Sequence, residues 1–155
     1  MRAVVQRVSS ASVKILDAAP AYVSGKIAAG LVVLVAVENG DDIQDARYLA
    51  GKIANLRIFE DGEQKMNLSA KDKNAQILVV SQFTLFGNVR KGTRPSFNRS
   101  APPQVSLQLY NDFLSALSEA LGRAVESGKF GAYMALSLVN DGPVTIILDS
   151  KNKDI

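Results

Sequence analysis

The segment that most narrows the possible folds is the run Leu31-Val32-Val33-Leu34-Val35-Ala36-Val37, which follows Gly30. An unbroken apolar series has no polar side to turn to water, as expected of a strand buried on both faces. The longest apolar run, Ala28 to Val37, has ten residues and is too short to span a bilayer. Polar residues interrupt Met1 to Arg7 too early for a signal peptide, so a cytoplasmic protein with no membrane partner is expected. With no cysteine, the fold has no disulfide to lean on, and with no histidine it lacks the commonest metal ligand. A chain of 155 residues is long enough to bury a core without either.

Local patterns extend the reading on both sides of that strand. Val4, Val8 and Val13 predict a strand from Ala3 to Ile15, and Ala21 to Ala28 predicts another after Pro20. Asp41 and Asp42 precede apolar residues at Ile43, Ala46, Leu49, Ala50 and Ile53, a helical period with negative charge at its N-terminal end. Arg57-Ile58-Phe59 predicts a short strand before the turn Glu60-Asp61-Gly62, and Gln76 to Val80 one that runs into Ser81-Gln82-Phe83-Thr84. Pro102 and Pro103 open a second helix, whose apolar face is Leu109, Tyr110, Phe113, Leu114, Leu117 and Leu121 and whose end is Gly122. Strands near Tyr133 to Val139 and Val144 to Asp149 flank Asp141-Gly142-Pro143, and Ser150 to Ile155 are expected to fray. The sum is one α+β domain over residues 1–155, strand-rich, with two helices packed against the sheet.

The missing histidine and cysteine also remove the usual general base and the usual strong nucleophile. Catalysis must then rest on hydroxyls, amides, backbone groups or the substrate. No Asp/Glu spacing resembles a calcium loop, so chemistry without a metal or cofactor is expected. The net charge of +3 permits a polyanionic partner without demanding one.

Three features each carry two readings. Residues 86–101 hold Arg90, Lys91, Arg94 and Arg99 with no acidic residue, beside Gly87, Gly92, Pro95 and Phe97. This is either a solvated surface loop or a phosphate-contacting loop with a stacking ring. Asp141-Gly142-Pro143 between two strands reads as an ordinary hairpin turn with a trans proline, or as a specialised segment. Ser81 and Thr84 at a strand end either satisfy local backbone groups or serve a site.

In combination and in this order the segments are specific. Met1 to Val8, Leu56 to Asp61, Lys65-Met66-Asn67, Val80 to Leu85, Lys91 to Phe97, Gly128 to Ala132 and Asn140 to Thr145 closely resemble the D-aminoacyl-tRNA deacylases, also called D-tyrosyl-tRNA deacylases. The resemblance covers essentially the whole chain. It implies a barrel-like sheet with both helices outside, and a homodimer with its active sites at the interface. It implies that Gly142-Pro143 is cis and reaches into the partner's pocket, where it selects chirality, with Arg7 holding that segment. The pocket floor is implied to be Ser81, Gln82, Phe83 and Thr84, with Phe130 and Met134 nearby. The implied reaction is hydrolysis of the ester that joins a D-amino acid to the 3′ acceptor end of tRNA, with glycyl-tRNA also accepted and L-aminoacyl-tRNA rejected. Arg90, Lys91, Arg94 and Arg99 are then candidate tRNA contacts. Backbone amides of Phe83 and Thr84 are candidate polarising donors, with the Thr84 hydroxyl as the competing nucleophile.

Two positions depart from the family pattern. Tyr133 stands where an acidic residue is common, and Leu16 to Pro20 is unusually extended. Two other functions stay open on sequence alone: an RNA-binding or dimeric interaction module without catalysis, and a small hydrolase of free D-amino acid esters or peptides.

Overall fold

In the computed structural model, which describes residues 1–155, strand β1 (Arg2–Ile15) organises the sheet. The sheet order is β2 (Tyr22–Ile27), β1, β3 (Gly30–Ala36), β6 (Gln76–Ser81), β7 (Glu126–Ser127), and β8 (Met134–Asp149) also pairs with β1. β1 is long enough to change neighbours along its length. Its first half lies between β3 and the end of β8, and its second half between β2 and the start of β8. Antiparallel β1 and parallel β6 flank β3, so the Val/Leu run is buried as its composition predicts. A Cβ at Gly30 would run into the backbone carbonyl of Gln76, so only glycine lets β3 and β6 approach here. Ser24 Oγ donates to the Ser127 carbonyl at 3.0 Å, which brings the β2 edge to β7 and rolls the sheet into a nearly closed barrel.

Rolling the sheet creates two apolar cores. The larger packs the outer face against helices α1 (Ile43–Ala54) and α2 (Pro103–Leu121), with Leu49, Ile53, Phe113 and Leu117 fully buried. The smaller lies inside the roll around Val8, Val13, Val32, Leu78 and Val80, and Met134, Leu136 and Leu138 of β8 close it only partly. Both helices start where the sequence predicts, and α2 also ends there. The Asp42 carboxylate accepts from the amides of Gln44 and Asp45 while Asp45 accepts from the Asp42 amide, a reciprocal capping box. Gly122 ends α2 at φ +73°, a left-handed conformation that favours glycine. Short β4 (Phe59–Glu60) and β5 (Met66–Leu68) form a separate ribbon. No helix is long and apolar enough to cross a membrane.

One open alternative is settled and one expectation is corrected. Of the two readings of Asp141-Gly142-Pro143, the hairpin falls, because Tyr133–Val139 and Val144–Asp149 both run antiparallel to β1 without reversing. Asn140 faces Val8 and Thr145 faces Gln6, so residues 141–144 swing out as a loop past Arg7 alone. The chain end is also not frayed from Ser150. Ser150 is buried, its amide donates to the Met1 carbonyl, and its hydroxyl accepts from the Met1 ammonium at 2.6 Å. That ammonium and Lys151 Nζ lie 2.8 and 2.9 Å from one oxygen of the fully buried Asp41 carboxylate. An ammonium and a carboxylate out of water hold each other in place, and here they bind the two chain ends to the start of α1.

Candidate active site

Where β6 ends, the chain enters a single 3-10 turn, Phe83–Phe86, and this change of course opens a cavity of about 770 Å³. The Gln82 amide still donates to the Val35 carbonyl at 2.8 Å, so the turn is anchored directly to the buried strand β3. Val80, Ser81, Gln82 and Phe83 line one side of the cavity, Phe130, Met134 and Leu136 another, and Phe97, Ser100 and Tyr110 close it. The structure therefore gathers five of the predicted residues: Ser81, Gln82, Phe83, Phe130 and Met134. Thr84 sits just outside, exposed, with its Oγ1 accepting a hydrogen bond from Gln82 Nε2.

The walls are held by specific contacts. Phe97 meets Phe83 edge-on at 5.0 Å, and Ser100 Oγ donates to the Phe83 carbonyl at 3.1 Å, so the 86–101 loop is clamped to the turn. Met134 fits because position 128 is glycine: a Cβ there would stand 2.7 Å from its sulfur. Phe83 and Thr84 open the 3-10 turn, so their amides have no carbonyl within the turn to donate to, and Gln82 gives no side-chain cap. Tyr110 is the one ionisable side chain lining the cavity. Burial pushes its hydroxyl up to about 12, and it donates to the Val79 carbonyl at 3.2 Å, so it is neutral near pH 7. The sequence pattern marks Tyr110 only as part of the apolar helix face; its lining role had no local signal.

Gly142, Pro143 and Arg7 are absent from this cavity. Gly142 follows Leu136 by six positions, about 20 Å along an extended strand. The Gly142-Pro143 bond is cis. Buried Arg7 donates from Nε to the Asp141 carbonyl at 3.3 Å and from Nη1 to the Ile58 carbonyl at 2.6 Å, and it pairs with the Asp141 carboxylate at 3.1 Å. It thus braces the 141–144 loop from beneath.

The cationic loop divides in two. Arg90, Lys91 and Arg94 are exposed and form no ion pair, whereas Arg99 pairs with Glu38 at 2.7 Å and lies over the Phe86 ring. Tyr133 is strongly exposed beside the cavity, and its amide accepts restraint from Asp17, to whose carboxylate it donates at 3.1 Å. The extended Leu16–Pro20 turn is therefore tied to the cavity rim. No group of three or more carboxylates converges anywhere in the chain.

The rolled mixed sheet recurs in solved structures. One described as "c-Myc DNA Unwinding Element Binding Protein" superposes with a TM-score of 0.88 over 96% of this chain and 98% of its own, at 40% identity. Another, a probable eukaryotic D-amino acid tRNA deacylase, has the same fold at a TM-score of 0.80 and 19% identity over 96% of this chain and 98% of its own. The model of the D-Tyr-tRNA(Tyr) deacylase family matches residues 4–149, and this chain belongs to that family of enzymes. Proteins named D-aminoacyl-tRNA deacylase from Flavobacterium psychrophilum and Opitutus terrae are 51% and 53% identical, each over 99% of this chain and all of the relative.

Proposed function

We propose that the cavity over Ser81–Phe83 receives the aminoacyl-adenosine end of a D-aminoacyl-tRNA and hydrolyses its ester to free amino acid and tRNA. The observation that carries the mechanism is electrostatic: the only ionisable side chain in the cavity is Tyr110, and it is held protonated. No side chain there can take a proton at neutral pH. The proton must pass through water and the substrate's own ribose 2′-OH. Water attacks the carbonyl carbon, the bond to the ribose 3′-oxygen breaks, and that oxygen takes up a proton. The amides of Phe83 and Thr84 stabilise the charge that develops on the carbonyl oxygen, an effect worth roughly 10²–10³-fold for one well-placed donor. An aminoacyl ester is already activated, so this much suffices. The Thr84 hydroxyl is a poor nucleophile here, since it lies outside the cavity and its neighbour Gln82 offers a donor rather than a base.

Chirality is assigned to Gly142-Pro143 of a second copy. The 141–144 loop projects from the sheet, braced by Arg7, and is too far along β8 to enter its own cavity. In a homodimer the loop reaches the partner's cavity, where its carbonyls occupy the space an L-residue's β-carbon needs. Glycyl-tRNA has no β-carbon to reject and is cleaved as well. Arg90, Lys91 and Arg94 contact acceptor-end phosphates, while Arg99 positions their loop.

The test compares release of labelled tyrosine from D-Tyr-tRNA and L-Tyr-tRNA, each with a 2′-OH or 2′-deoxy terminal adenosine. Rapid release from the D-ester alone, abolished by the 2′-deoxy group, is expected. Equal release from both enantiomers defeats the chiral filter, unchanged release from the 2′-deoxy ester defeats the proton path, and binding without release moves the chain to an RNA-binding module.

A further inference from the structure

Helix α1 carries a cationic depression that shares no lining residue with the cavity. Arg47, Tyr48, Gly51, Lys52, Asn55 and Arg57 surround it, and Lys153 from the chain end stands 4.7 Å from the Tyr48 ring. Arg47, Lys52 and Lys153 are exposed and have no carboxylate partner, and Arg57 bonds to Asn67, which is neutral. The nearby acids are otherwise engaged: Asp45 in the α1 cap, Asp72 with Ser69, although Asp72 also feels the charge of Arg57.

Gly51 is the second observation. It sits inside α1, where glycine is less favourable than alanine by about 1 kcal/mol. A Cβ there would meet nothing within 4 Å, so the protein's own packing does not require the missing side chain. A bare backbone on an exposed helix face suits the close approach of another molecule. Arg47, Lys52 and Lys153, none of them paired with a carboxylate, select a polyanion. A second copy meeting this patch across a two-fold axis would set like charges against each other, which excludes that occupant.

The patch is connected to the active site. Asn39 lines the cavity, its carbonyl accepts from Lys151 Nζ at 3.4 Å, and Lys153 follows two residues on. From Arg47 to Lys52 the cations then continue for about 7 Å along the helix axis, with Arg57 beyond its end. Building on the proposed function, we infer that the Arg47/Gly51/Lys52/Lys153 face of α1 is a second tRNA-contacting surface, which holds phosphates of the tRNA body while the acceptor end occupies the cavity.

The experiment measures binding of uncharged tRNA by fluorescence anisotropy over a salt series, for wild type, R47Q/K52Q/K153Q and Gly51→Glu. Loss of three phosphate contacts is expected to lower the slope of log K against log salt by about two to three and to weaken binding at least about tenfold at ~0.1 M salt. Gly51→Glu adds a good helix former and an opposing charge, so it is expected to weaken binding while remaining folded by circular dichroism. Hydrolysis of a D-Tyr ester on a CCA trinucleotide, too short to reach α1, is expected to be unchanged in both variants. Wild-type affinity and slope in both variants overturn the inference. Failure of the wild type to cleave full-length D-Tyr-tRNA overturns the proposed function instead, and the binding arm still reads α1.

Discussion

Whether Gly142-Pro143 serves its own cavity or another copy's can be decided by mixing two defective chains. Gly142 has φ +121°, a conformation L-residues rarely adopt, and alanine there is strained by about 1–3 kcal/mol. Its Cβ would also stand 2.8 Å from Val144 Cγ2 and 2.9 Å from Arg7 Nη2, which adds about 1–3 kcal/mol of overpacking. The total approaches but does not usually exceed the 5–15 kcal/mol typical of a domain, so Gly142→Ala folds with its loop displaced. The second chain, Ser81→Phe, blocks the cavity floor. Each homodimer is expected to be inactive. Coexpressed from equal doses with two tags, the chains form half heterodimers, each with one site made of an intact cavity and an intact loop. Specific activity on D-Tyr-tRNA in the mixture is then about one quarter of wild type. If loop and cavity acted within one chain, every site would carry one defect and no activity would return. A mixture as inactive as its components, with heterodimers demonstrated by the two tags, would falsify the shared-site arrangement.

Other outcomes follow from single contacts. Thr84→Ala is expected to keep turnover within about tenfold of wild type, because the amides rather than the hydroxyl polarise the ester; single-turnover kinetics showing a loss of several orders of magnitude in a folded variant would reinstate a covalent route. Tyr110 has its folded pKa raised to about 12 against an unfolded value near 10, so its contribution is complete below pH 10 and is lost between about pH 10 and 12, roughly 2–3 kcal/mol in all. Urea denaturation at stepped alkaline pH is expected to show that decline flattened in Tyr110→Phe. Asp41→Asn leaves the buried Met1 ammonium without its counter-charge and is expected to destabilise by about 3–5 kcal/mol, measured as a fall in Tm of about 10 °C. An unchanged Tm would mean that Ser150 alone satisfies the ammonium.

Features written in neighbouring residues were legible in the sequence. Asp42 marks the start of α1, Gly122 stops α2, and Leu31 to Val37 announces a buried strand by its own composition. Features that depend on register were not. Asp-Gly between two apolar runs reads as a hairpin, and only the pairing of Val8 with Asn140 and Gln6 with Thr145 shows that β8 passes straight through. Tyr110 has the spacing of a core residue and is one, yet it also lines the cavity, its hydroxyl donating to the Val79 carbonyl on β6. Arg99 looks like its cationic neighbours until Glu38, far away in sequence, is found beside it. The frayed-tail expectation failed for the same reason, since Ser150 is fixed by Met1 at the opposite end of the chain.

The pairing of Arg2 with Asp149 also has a consequence in time. β1 leaves the ribosome before every other strand of this sheet, and β8, its longest partner, leaves after them. At roughly 5–20 residues per second, one edge of β1 waits about 8–30 s for its partner to be made. β2 and β3 emerge early enough to cover its other edge by local antiparallel pairing, but the barrel cannot close, nor the Met1 ammonium find Ser150, until β8 and the residues after it have been made. The open β1 edge, rather than any part of the finished molecule, is where a growing chain is most exposed to pairing with another.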